Sequence, residues 1–227
     1  MNESLTPIEA FKLSMINHRG PYLAYIAWAL NIHVGKIAEI GVNKGETSQI
    51  LRHLFPHASL YLIDPWELNP QYLQSGTPIS RKLKHYRKAY EHVEQLLGDD
   101  PQVTILRMRS LEALAHTPDD FDLVFIDANH EYLEVKQDIL AWLPKVRDGG
   151  ILAGHDYEPN IPMFCGVKRA VDEIFGNRVM LGKDRLWIHR KSLREGGLEP
   201  PRVAPLPPQS SASTNSATLA GKTKGRS

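Results

Sequence analysis

The sequence predicts an α/β fold: a doubly wound, mostly parallel sheet of seven strands ending in an antiparallel hairpin, with helices on both faces. Three observations predict it. Strand and helix patterns alternate from Lys36 onward. The strand segments are short and apolar throughout, as in sheets covered on both sides. Acidic residues recur just after the strands, where such sheets place their ligands.

Pro7 to Ile16 and Pro21 to Asn31 read as two helices, the second apolar on most faces. Lys36 to Ile40 is a buried strand, followed by a glycine turn and a helix from Thr47 to Leu54. Leu60 to Ile63 is the second strand. Ser80 to Leu97 is a helix, because Leu83, Tyr86, Tyr90, Val93 and Leu97 recur at three-to-four spacing. Val103 to Arg107 is a strand and Leu111 to Ala115 a short helix. The apolar strand Leu123 to Ile126 precedes a helix from Glu131 to Leu143 that Pro144 stops. Ile151 to Gly154 is a strand and Val167 to Phe175 a helix. Arg178 to Leu181 and Arg185 to His189 form the terminal hairpin around Gly182-Lys183-Asp184.

The chain has 227 residues, with 27 Lys+Arg against 26 Asp+Glu, so its charge gives no reason to bind nucleic acid or an acidic membrane. Its one cysteine, Cys165, rules out an intrachain disulfide and a cysteine zinc site. Neither a secretory leader nor a membrane-length apolar run is present, so a cytoplasmic protein is expected. The composition breaks after Ser192: the following 35 residues hold five prolines, five serines and no aromatic residue. Residues 1–192 are therefore expected to form the folded domain, with 1–34 as helices capping its site. Residues 193–227 are expected to be a disordered tail without function, resembling a conceptual translation that runs through a tRNA gene; a flexible interaction tail is the alternative.

Glu39 lies at the first strand's end, Asp64 after the second, Asp127 after the fourth and Asp156 after the fifth. Two carboxylates about 8 Å apart repel by roughly 2 kcal/mol at an effective dielectric of about 20. Such a group needs cations, and the segments carrying it offer only Lys44 and Lys136. Helix capping is the plainer explanation for any one acid alone. Gly41 and Gly45 let the first turn approach a ligand closely, although the three-glycine dinucleotide fingerprint is absent. Asp64 sits where nucleotide-binding sheets hold a ribose. Trp66 either covers an adenine or is an ordinary packed aromatic. The basic face at Arg81, Lys82, Lys84, Arg87 and Lys88 reads as solvated, and Glu67 to Ile79 as a loop forming a substrate lid.

The segments IAEIGVNKGETSQIL, YLIDPW, FDLVFIDANHEYLEVKQDILAWLPKVRDGGILAGHDY and GVKRAVDEIF resemble S-adenosylmethionine-dependent methyltransferases of the Rossmann-like, seven-stranded fold. Within these the chain is similar to the branch of macrolide-sugar O-methyltransferases and cephalosporin-biosynthesis methyltransferase/hydroxylase-like proteins. The resemblance implies that Glu39, Gly41 and Gly45 line the methionine end of the cofactor and that Asp64 holds the ribose. It also implies that Ser110 sits beside the adenine, that Asp127 faces the cofactor, and that His130 is the general base. Asp127 and Asp156 would ligate a divalent cation. The relatives often carry two adjacent acids where this chain has His155-Asp156, so His155 becomes a third ligand or a supporting partner. That set suits Mn²⁺ or Zn²⁺ as well as Mg²⁺.

The implied function is O-methylation of a hydroxylated small molecule, a sugar or natural-product intermediate. Histidine, with a pKa near neutrality, removes the hydroxyl proton while the metal polarises it. The alternatives are a metal-independent enzyme acting on another atom and a cofactor-binding subunit without catalysis. A homo-oligomer is compatible with the sequence.

Overall fold

The computed structural model describes residues 6–67, 79–158, 160 and 165–192. Among these, α1 (Pro7–Met15) and α2 (Arg19–Ala29) come first. Thr6 and Glu9 form a reciprocal capping box that starts α1, and His18 caps α2. The sheet then builds through β1 (Lys36–Ile40), α3 (Glu46–Leu54), β2 (Ser59–Ile63), α4 (Ile79–Leu97) and β3 (Val103–Leu106). A single helical turn, α5 (Ser110–Ala113), leads to β4 (Phe121–Ile126), α6 (Tyr132–Trp142), β5 (Val146–Gly154), α7 (Cys165–Phe175), β6 (Met180–Leu181) and β7 (Trp187–Arg190).

The strand order is β3-β2-β1-β4-β5-β7-β6. β1 to β5 pair in parallel, and β7 runs antiparallel between β5 and β6. Successive side chains of a strand enter opposite layers, as the two-residue period requires. Leu123 and Phe125 join Leu23, Leu51 and Val93 on one face, while Val124 and Ile126 join Ile139, Trp142 and Val171 on the other.

Register determines what the sheet presents at its carboxyl edge. Ile40 lies opposite both Ile63 and Ile126, and Ile126 lies opposite Gly154. The ladder continues one residue further: Gly41 N–H donates to Ile63 O, Asp127 N–H to Ile40 O and His155 N–H to Ile126 O. Gly41, Asp64, Asp127 and His155 therefore form one row. The strand order reverses between β1 and β4, the place where sheets of this kind have the crevice for their ligands, and Glu39, Gly41 and Asp127 stand there.

The structure departs from the sequence reading in three places. β5 begins at Val146, five residues before the apolar run, because Val146 pairs with Phe121 across a register shift and left-handed Gly149. No apolar alternation marks that stretch. In the hairpin, Asp184 and Arg185 both have positive φ (52° and 54°), so Arg185 belongs to the turn and not to the strand. Arg178 likewise precedes β6. The lid expected from Glu67 to Ile79 falls almost wholly outside the described residues, as does the tail from Leu193. No described helix is long and apolar enough to cross a membrane.

Gly41 has φ +90°, and a Cβ placed on it would lie 2.1 Å from the Asp127 carbonyl oxygen. Gly41→Ala therefore combines a left-handed backbone penalty with a clash against rigid backbone. We expect it to lower stability by at least ~3 kcal/mol, read from urea unfolding.

Candidate active site

Glu39 is 2% exposed at the floor of the β1–β4 crevice, where Ser48 Oγ donates to its Oε2 at 2.6 Å. Burial pushes its pKa up to about 8, and the neighbouring Asp127 and Asp64 charges push the same way. Burial thus favours the neutral acid at Glu39, and a cation nearby would favour its ionised form.

Asp64 organises the glycine turn. Its Oδ2 accepts from the N–H groups of Val42 and Asn43, and its Oδ1 from Trp66 N–H at 2.6 Å. Burial raises its pKa, and these backbone donors oppose the rise. Trp66 is 2% exposed; its indole donates to Asn43 O and packs against Tyr90 with ring centroids 5.1 Å apart. The structure therefore gives Trp66 the place of a packed aromatic that supports the turn. Ser110 is equally committed: Trp142 Nε1 donates to its hydroxyl at 2.8 Å, and it bonds to buried Asp138, whose pKa is pushed up to about 6 by burial. Gly45, at φ +75°, caps α3.

Asp127, His130, His155 and Asp156 meet at the mouth of the crevice. His130 Nε2 lies 2.8 Å from Asp156 Oδ2. His155 Nδ1 is 3.0 Å from Asp156 and 3.7 Å from Asp127, and its Nε2 is 3.6 Å from Asp184. Burial alone would lower the His155 pKa, but the hydrogen bond to Asp156 and the two carboxylates raise it overall. Burial likewise opposes ionisation of Asp156, yet its bonds to His130 and His155 hold its pKa well below the usual range. Asp127 is shifted upward, by burial. One ligand atom each from Asp127, His130 and Asp156 lies within 4.8 Å of the other two.

The basic partners differ from those expected. Lys136 pairs with Glu173, away from the rim. Arg19, from the first turn of α2, places Nε 3.3 Å from Asp127, and Arg185 places a terminal nitrogen 3.2 Å from Asp156. Sequence reading missed Arg19, Asp184 and Arg185, since the first lies outside the sheet and the others come from the hairpin turn. Of the seven non-glycine residues with positive φ among the described residues, five (Asn43, Trp66, Asp156, Asp184 and Arg185) lie on or next to this rim. Such strain gathers where a fold holds side chains for function.

The sequence matches a family described as a methyltransferase domain over residues 38–157, more than half of the chain. The chain belongs to this methyltransferase family. Three solved structures share the fold. A protein described as a caffeoyl-CoA O-methyltransferase from Staphylococcus aureus is 17% identical, with 82% of this chain and 89% of that one covered and a TM-score of 0.55. One described as an O-methyltransferase from Klebsiella pneumoniae is 19% identical, with 84% and 92% covered and a TM-score of 0.53. The O-methyltransferase NovP is 19% identical, with 73% and 75% covered and a TM-score of 0.53. No curated protein matches the sequence.

In this methyltransferase, Glu39, Gly41, Asp64, Asp127, His130, His155 and Asp156 gather at one edge of the sheet. Trp66 and Ser110 stand behind it, with their polar groups already engaged. A cofactor cation placed beside Glu39 would displace its proton, which gives a pH signature. Its raised pKa means that the free methyltransferase holds this proton below about pH 8. Affinity for S-adenosylmethionine should therefore rise between about pH 6 and pH 7.5, by at most about tenfold per unit. Calorimetry should find that slope in the wild type and a flattened one in Glu39→Gln.

Proposed function

We propose that this methyltransferase transfers the methyl group of S-adenosylmethionine to a hydroxyl of a small molecule, a sugar or natural-product intermediate. The observation that carries the reading is the His130–Asp156 pair, 2.8 Å apart, at the mouth of the crevice floored by Glu39. The cofactor supplies the electrophilic methyl group, and the protein supplies alignment and proton removal. Glu39 and Asp127 attract the positive end of the methionine moiety. Gly41, Gly45 and the turn held by Asp64 bring the backbone close to the cofactor. Asp64 also faces the ribose, and Ser110 borders the adenine. Trp66 serves by fixing the turn.

Asp156, 2.8 Å from His130 Nε2, orients the imidazole, as in other carboxylate–histidine pairs. His130 so oriented takes the acceptor's proton as the new bond forms. The rim also fits a divalent cation. Two carboxylates and an imidazole within 4.8 Å form a donor set for Mg²⁺, Mn²⁺ or Zn²⁺; Asp127 and Asp156 would hold the ion, while His130 stays the base. When bound, it would lower the pKa of the acceptor hydroxyl. His155, whose Nδ1 lies 3.0 Å from Asp156 and 3.7 Å from Asp127, would complete the ligand set or orient the two acids. A second reading, metal-independent transfer, is favoured by the Arg19–Asp127 and Arg185–Asp156 pairs, which already neutralise two of the acids.

An assay with labelled S-adenosylmethionine and a panel of hydroxylated acceptors tests the proposal. His130→Ala should lower methyl transfer by about 10²–10⁴-fold, with cofactor affinity kept within about threefold. An unchanged rate removes His130 from the mechanism. EDTA should abolish turnover of the wild type and Mn²⁺ or Mg²⁺ restore it; full activity in EDTA establishes the metal-independent reading.

A further inference from the structure

We propose that Arg19 is the anchor for the carboxylate of the cofactor's methionine moiety, so that α2 completes the cofactor site and selects for a carboxylated cofactor. The inference rests on the reading of the crevice as the methionine pocket.

Arg19 lies at the start of α2, outside the sheet, yet its guanidinium reaches across the crevice. Its Nε is 2.9 Å from the hydroxyl of Thr47, in the first turn of α3 directly after the glycine turn. The same nitrogen is 3.3 Å from Asp127 on the opposite wall, and the Arg19 charge is felt by Glu39 on the floor. Its terminal nitrogens are differently placed. One approaches Asp184 no closer than 4.0 Å, and among the described residues neither makes a hydrogen bond. The side chain is 24% exposed, so it remains partly accessible to a ligand. An arginine with a free fork is suited to bidentate recognition of a carboxylate.

Charge balance supports the assignment. The methionine moiety carries an ammonium and a carboxylate one carbon apart. Entering between Arg19 and Asp127, it replaces one ion pair with two: its ammonium meets Asp127 and Glu39, and its carboxylate meets Arg19. No charge in the crevice is left without a partner. A cofactor lacking the carboxylate would separate Arg19 from Asp127 and return nothing to the guanidinium, which is costly in a partly buried site. Among the described residues, the other arginine of the rim, Arg185, pairs with Asp156 instead.

The hairpin turn keeps Arg19 in reach. Lys183 Nζ donates to Ser14 O at the end of α1, at 2.6 Å. Gly182 packs so closely on Tyr22 of α2 that a Cβ would lie 2.6 Å from the ring.

The test compares S-adenosylhomocysteine with its decarboxylated analogue, which lacks only the carboxylate, by calorimetry on the full chain. The wild type should prefer S-adenosylhomocysteine by at least about tenfold. Arg19→Gln should lose about 10–100-fold for that ligand and less than about threefold for the analogue, so the preference collapses. Arg19→Lys, which keeps the charge, should retain a preference at least about threefold greater than that of Arg19→Gln. Equal losses for both ligands in Arg19→Gln, an unchanged affinity for S-adenosylhomocysteine, or a lysine variant no more selective than the glutamine variant overturns the proposal. Thermal unfolding of each variant identifies a folding defect, in which case the lysine variant decides. Two ligands bound equally by the wild type overturn carboxylate selection but leave the cofactor reading intact; neither ligand bound overturns both.

Discussion

Parallel strands that end in register force Glu39, Asp64, Asp127 and Asp156 toward a common edge, and much of the site compensates for that crowding. The acids are handled in four different ways. Glu39, the most deeply buried, stays protonated and is held by Ser48. Asp64 is surrounded by backbone N–H donors and becomes the clamp of the glycine turn. Asp127 is met by Arg19, and Asp156 by His130, His155 and Arg185. These solutions leave buried acids whose ionised form a cation would favour, as the proposed binding of a sulfonium cofactor requires.

The compensating charges come from outside the parallel core. Arg19 arrives from the helices before the sheet, and Asp184 and Arg185 from the hairpin turn after it. A methyltransferase core of this kind can thus keep its cofactor crevice while its flanking elements tune charge and access. The strained backbone at Asp156, Asp184 and Arg185 belongs to the same arrangement. Left-handed residues turn the side chains inward where regular strands would point them elsewhere.

Much of this was legible in the sequence. Short apolar runs located β1, β2 and β4, and the order of acids after the strands located the rim, because a period-two pattern and a parallel crossover leave little choice of side. Strand edges without apolar alternation were not legible: after Val146, residues 147–150 are two charged residues and two glycines, and the start of β5 is set by pairing with β4 across a register shift. Trp66 and Ser110 show the limit for single side chains. Each stands next to the crevice in the chain, yet an indole N–H bonded to Asn43 O and a hydroxyl bonded to Trp142 are tertiary facts that no local pattern carries. Arg19 was missed for the same reason: its partners are 28 and 108 residues away in the chain.

The central claim is that a neutral buried acid waits in the crevice for a cation. Infrared difference spectroscopy at about pH 7 reads it directly, with and without S-adenosylhomocysteine and with Glu39→Gln as the reference. The account predicts a protonated-carboxyl band in the free protein that disappears on binding and is missing from the glutamine variant. A free protein without that band, or a band unchanged by the ligand, would contradict it.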